Sequence, residues 1–290
     1  MKKHFSHYIE LGLAIAVMSS SGTLGRYINL PPTVTIWLRC IIATIALYLI
    51  LKIWRIETNF FRSNFQSITI GALFLGGHWV TYFYSLQLSS VAIGMLSLFT
   101  YPVITALLEP LLLKTKLQPA TLFLSILAFA GVALLVPELS FDNQYTLGIA
   151  IGILSALLYS IRNILMKKKV GQFSSIALMY YQLLIITLVL TPLALTFNFD
   201  WSADVFPQWI PLIILGLFTT ATGHTLFVLS FRHFTISTVS IISAITPLIG
   251  STWGYIFLSE IPSGKTMIGG ILIFTTVVIE SIRTARTKLG

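Results

Sequence analysis

Charge is what this chain has least of: 9% of its 290 residues are Asp, Glu, Lys or Arg, and only nine are acidic. An average soluble domain carries about 25% charged residues, so a water-facing surface of this size cannot be built from this composition. Cysteine is nearly absent too. The single Cys40 excludes an intrachain disulfide and a paired-cysteine metal site. The sequence has no phosphate-binding glycine loop and no His-Glu-x-x-His pattern, and His4-x-x-His7 is too small and too terminal for a ligand set. These gaps point away from ATP-driven work by this chain alone, and no cofactor or metal is expected. No Ser/Gly-rich linker, low-complexity tract or separately folding soluble domain interrupts the chain.

What fills the sequence instead is apolar residue, 56% of the total. Stretches near the ~20 residues that span hydrocarbon as a helix occur at 8–27, 33–53, 66–86, 91–113, 118–136, 147–167, 176–197, 208–230, 236–258 and 264–282. The expected fold class is an all-α membrane protein of ten transmembrane helices. Internal repetition divides them. Leu11, Gly12, Ser19 and Arg26 recur 136 residues later as Leu147, Gly148, Ser155 and Arg162. Gly77-His78 followed by Pro102 is matched by Gly223-His224 followed by Pro247. Two repeats of five spans follow, 1–137 and 147–290, together forming one membrane domain. Five is odd, so the second repeat crosses in the opposite sense, an inverted pair with its substrate site expected near the midplane. Lys2, Lys3 and the apolar stretch after them resemble a signal peptide, but the internal twin at 147–167 marks the first span as a retained helix.

The net charge of +9 forms no stripe suited to nucleic acid. If the spans alternate, Lys52, Arg55, Arg62, Lys114, Lys116, Lys167, Lys168, Lys169, Arg232, Arg283, Arg286 and Lys288 join Lys2 and Lys3 on one side. By the positive-inside rule that side is cytoplasmic, with both termini inside and the inner cell membrane as the location. The opposite loops carry Glu138, Asp142, Asp200, Asp204 and Glu260, with Lys265 as their lysine.

These features resemble the drug/metabolite transporter superfamily, in particular chains with two tandem EamA domains. Trp37-Leu38-Arg39 opens the second span, and Tyr180-Tyr181-Gln182 stands at the equivalent place in the seventh. Thr246-Pro247 lies within the ninth span, and Phe257-Leu258-Ser259-Glu260 closes it. The first half departs from the pattern, with Lys114-Thr115-Lys116 where the closing Gly-Glu falls. The resemblance implies a ten-helix carrier of small metabolites, often an exporter of amino acids or related compounds, working by alternating access.

Polar groups deep in a bilayer are costly and call for a partner or a role. His78 and His224 occupy equivalent positions and are candidates for the cavity wall, with packing across a helix contact as the competing explanation. Trp37, Arg39 and Gln182 are further candidates from the second and seventh spans, Arg39 as a bidentate grip for a carboxylate. Ser97, Tyr101, Ser243 and Thr246 flank Pro102 and Pro247, whose matched helix breaks suit hinges or gates. Trp79, Tyr82 and Tyr159 complete an aromatic-walled site. Glu109, beside Pro110, is the candidate for proton coupling, against snorkelling or pairing with Lys114 or Lys116. Arg26 reads as a helix-end group, and Trp54, Trp201 and Trp209 as interfacial anchors.

The expected function is secondary-active export of a small organic metabolite. Its partners are a small-molecule substrate, the lipid bilayer and a proton or other ion gradient; neither nucleic acid nor an obligate protein partner is expected. A proton-coupled multidrug or organic-cation exporter is the alternative within the class. From another class, an intramembrane enzyme would use His78 or His224 as general base and require Glu109 beside His78.

Overall fold

A computed structural model describes residues 2–58, 61–113, 118–135, 143–170, 172–234, 239 and 242–287. Lys114, Lys116, Glu138, Asp142 and Lys288, which enter the charge argument, lie outside the described residues, as does the departure at Lys114-Thr115-Lys116. The described chain is helical and has no strand. Helices α1 (Lys2–Tyr27), α2 (Pro32–Ile53), α3 (Phe61–Leu88), α4 (Val91–Leu98), α5 (Tyr101–Leu113) and α6 (Pro119–Leu135) make the first repeat. The second holds α7 (Gln144–Val170), α8 (Ser175–Ala194), a composite helix α9 (Trp201–Ser230), α10 (Thr246–Leu258) and α11 (Gly264–Thr287).

Nine of the predicted spans coincide with a helix, or in the case of 91–113 with the pair α4 and α5; of 236–258, α10 covers 246–258, and part of the remainder lies outside the described residues. Five stretches are long and apolar enough to cross a membrane on those criteria alone: α2, the α4–α5 pair (Val91–Leu112), Gln144–Lys167 of α7, α8 and α9. The long helices α1, α3 and α11 have polar or charged ends that dilute their hydropathy, and α6 is 17 residues long. The outward faces are apolar. Leu111, Ile126, Leu188, Phe257 and Ile271 are all more than half exposed, as a lipid-facing exterior requires and water would not favour.

Packing follows the repeat. Helix α3 lies along α7, and the equivalent pair, α9 and α1, pack likewise; α2 with α8 and α6 with α11 are partners that the repeat exchanges with each other. In the last pair a Cβ added to Gly269 would stand 2.6 Å from the carbonyl of Gly131, so the backbones touch. The matched breaks lie just ahead of the prolines. Phe99 and Thr100 separate α4 from α5, Ala244 and Ile245 form a turn before α10, and Pro102 and Pro247 each sit second in the helix that follows. That position suits proline, whose missing N–H is one of the donors a first turn leaves unpaired.

Helix α9 has a wider register over Ile214–His224, where the chain is π-helical. Thr219 and Thr220 both hydrogen-bond to the Leu215 carbonyl, Thr220 from five residues away. π-turns are rare and concentrate at functional positions.

Candidate functional site

Between the two repeats lies a cavity of about 60 Å³ whose wall includes His78, Trp79 and Tyr82 of α3, Tyr101 of α5, Tyr159 of α7 and His224 of α9. Ser243 and Thr246 close it from either side of the α10 break. A larger cavity of about 520 Å³ between α4, α10 and α11 is lined almost wholly by apolar groups, Pro247 among them. We place the candidate site in the smaller one, because polar groups from both repeats converge there. Phe99 borders both cavities.

The wall is ordered by ring contacts. Tyr159 stacks on His78 with centroids 4.4 Å apart and meets Tyr101 edge-on at 5.0 Å. Trp79 meets His224 edge-on at 4.9 Å. His78 Nδ1 is 2.7 Å from Ser155 Oγ, and that hydroxyl donates to the His78 carbonyl at 2.8 Å. With the serine proton committed, Nδ1 is the donor and Nε2 is the imidazole atom left for a ligand. His78 therefore turns to Ser155, and the described residues do not form the His78–Glu109 dyad required by an enzyme reading.

Four of the twelve sequence candidates stand off this wall. Trp37 donates its indole N–H to Thr191 Oγ1 at 3.0 Å, and Ser97 donates to the Ile93 carbonyl of its own helix at 2.8 Å. Gln182 accepts from Arg162 Nη2 at 2.8 Å. Arg39 lies behind the wall with its guanidinium 4.5 Å over the Trp79 ring and its Nε donating to Thr220 Oγ1 at 2.8 Å. Pro102 is buried at the start of α5; Glu109, farther along that helix and half-buried, is absent from the cavity lining.

Three participants had no place among the sequence candidates. Ser155 was visible as a repeat marker, but nothing in its type announced a bond to His78. Thr220 meets Arg39 through the π-register, which residue spacing does not reveal. Phe227 adds a ring stacked toward Tyr159, with centroids 6.3 Å apart.

One end of the bundle is tied across the repeats. At the finish of α1, Arg26 Nε is 3.2 Å from Glu260 Oε1, just beyond α10, while the other Glu260 oxygen accepts from the Val91 N–H at 2.8 Å. Arg26 also donates to the Gln87 carbonyl, and Gln87 donates to the Leu30 carbonyl at 3.0 Å. Arg26 thus holds a carbonyl at the end of α3, as a helix-end group does, and is ion-paired as well. At the opposite end Arg232 donates to the carbonyls of Val170 and Phe173, at 2.9 and 2.6 Å.

The EamA-like transporter family model matches residues 8–136 and 146–282. This chain belongs to the EamA-like transporter family. It is similar to the pseudopaline exporter CntI of Pseudomonas aeruginosa (strain UCBPP-PA14), 25% identical over 270 residues, which is 90% of this chain and 89% of that protein. An uncharacterized transporter of Bacillus subtilis (strain 168), YxxF, is 25% identical over 289 residues, covering 97% of this chain and 91% of its own. A solved crystal structure superposes with a TM-score of 0.71 at 18% identity over 97% of this chain and 99% of that one, a likeness of fold. The EamA chain is accordingly a membrane-embedded transporter built as two tandem EamA repeats.

Proposed function

We propose that this EamA-like transporter is a secondary-active exporter that moves a small organic metabolite across the inner cell membrane by alternating access, with both termini in the cytoplasm. The observation that carries this reading is the central cavity. It takes wall residues from both repeats, and at about 60 Å³ it falls well below the ~300–1,000 Å³ of a typical ligand site. A metabolite can enter only if the walls part, and two repeats moving against each other supply that motion. On this reading the Arg26–Glu260 end faces outward and is closed here. The resemblance to a pseudopaline exporter favours outward movement of an organic solute. Coupling to a proton or other ion gradient belongs to the same proposal, with Glu109 as the candidate relay.

The test is transport of a labelled amino-acid and metabolite panel by purified protein in proteoliposomes, with and without an imposed pH gradient. Saturable movement of a small organic solute, lost when Trp79 and Tyr159 are both replaced by alanine, is expected. Flux that does not saturate, or that survives those changes, overturns the assignment of the cavity.

A further inference from the structure

Arg39 is fully buried, yet its side chain is only half satisfied. Nε is anchored on Thr220, and the guanidinium face lies over the Trp79 ring at 4.5 Å and the Phe83 ring at 5.5 Å. Both outer nitrogens, Nη1 and Nη2, lack a hydrogen-bond partner among the described residues. Those two atoms form the fork of a guanidinium that accepts a carboxylate edge-on in two parallel bonds. A buried cation in this state carries an uncompensated desolvation cost until an anion meets it.

The surroundings have the same sign. Arg162 is a second buried guanidinium, and the oxygens it meets, Asn163 Oδ1 and Gln182 Oε1, belong to neutral amides. Glu260 and Glu280 are taken by Arg26 and Arg283. Trp79 Nε1 and Arg162 Nε have no partner among the described residues either, and both atoms are donors. The centre therefore holds spare positive charge and spare N–H groups behind an aromatic wall. The cavity lining holds no carboxylate to pair with a cation or a free amine.

Resting on the reading of this cavity as the transport site, we propose that its substrate class is an organic anion, a carboxylate on a flat apolar body, paired with the Nη1/Nη2 fork of Arg39 when Trp79 swings aside. The aromatic wall takes the body of the solute, and His78 Nε2 is available to a hydroxyl or amide group on it.

Matched probes test the charge directly: phenylacetate, phenylacetamide and phenethylamine, then indole-3-acetate, indole-3-acetamide and tryptamine. Ligand-induced thermal stabilisation of the purified protein reads binding. In at least one set the carboxylate is expected to stabilise at a concentration tenfold or more below its amide and amine. Arg39→Gln should erase that preference and Arg39→Lys retain part of it. Should Arg39→Gln fail to fold, the ranking in the unaltered protein still decides. An amine matching or beating its carboxylate, an unchanged ranking in Arg39→Gln, or no stabilisation by any carboxylate overturns the proposal. Chloride and phosphate are run alone and in competition, and either one reproducing the full effect reduces the site to an inorganic-ion site and also overturns it. Flux of the same labelled probes in proteoliposomes separates the two readings. Carboxylate binding without flux counts against export and leaves the anion preference standing, whereas flux favouring the amine does the reverse.

Discussion

Removing the Glu260 carboxylate should open one end of this transporter, and the size of the effect follows from its three interactions. The ion pair with Arg26, 3.2 Å apart with both partners a quarter to a third exposed, contributes about 0.2–1 kcal/mol. The bond from Val91 N–H at 2.8 Å is charge-assisted, and such bonds contribute about 1.5–3 kcal/mol. Val91 opens α4, so the carboxylate also meets the positive end of that helix, for about 0.3–1 kcal/mol that overlaps the previous figure. Glu260→Gln keeps an acceptor for Val91 and loses about 1 kcal/mol; Glu260→Ala loses roughly 2–4 kcal/mol. At about 1.4 kcal/mol per tenfold, local opening rises about fivefold in the first variant and roughly 30-fold or more in the second. Hydrogen–deuterium exchange of peptides covering residues 86–95 reads that opening. Peptides around Val170 and Arg232, at the opposite end, are the control. Unchanged exchange at 86–95 in Glu260→Ala refutes the latch, and equal acceleration at both ends attributes the effect to general loosening.

Other consequences are more local. Ser155→Ala leaves His78 Nδ1 without its hydroxyl partner and should cost about 1–3 kcal/mol, read as a lower unfolding midpoint in detergent. Gly269→Val forces a side chain against the Gly131 carbonyl and should destabilise the α6–α11 contact by about 1–3 kcal/mol, seen as faster exchange in those two helices. Asp200 caps the start of α9, and hydrogen bonds from the Ser202 hydroxyl and then the Ala203 and Ser202 N–H groups hold its carboxyl below the ordinary range. A depressed folded-state value means the cap is intact above the unfolded carboxylate range and is lost as pH falls through the folded value. Exchange at residues 201–205, normalised for intrinsic rate, should therefore rise on acidification, and Asp200→Asn should flatten that rise.

The helices were legible because lipid demands long apolar runs, and the repeat was legible because equivalent residues keep a constant offset. The convergence of His78, Trp79, Tyr82, Tyr101, Tyr159, His224, Ser243 and Thr246 on one cavity was legible for a related reason: costly groups at matched positions tend to face protein. Which face each helix turns inward was not. Arg39, seven residues into α2, ends behind Trp79 because it rotates toward α9, where the π-register offers Thr220. Ser97 hydrogen-bonds within its own helix although its neighbours line the wall. The latch escaped as well, since Arg26 and Glu260 are 234 residues apart and meet only after the repeats dock.

The central claim is that one cavity is reached from the two membrane faces in turn. A single cysteine at Ser243, in a Cys40→Ala background, can be treated with a membrane-impermeant thiol reagent in right-side-out and in inside-out vesicles. The account predicts slow labelling from each face, with Glu260→Ala speeding labelling from the outer face and slowing it from the inner one. Labelling accelerated from both faces together, or from neither, contradicts it.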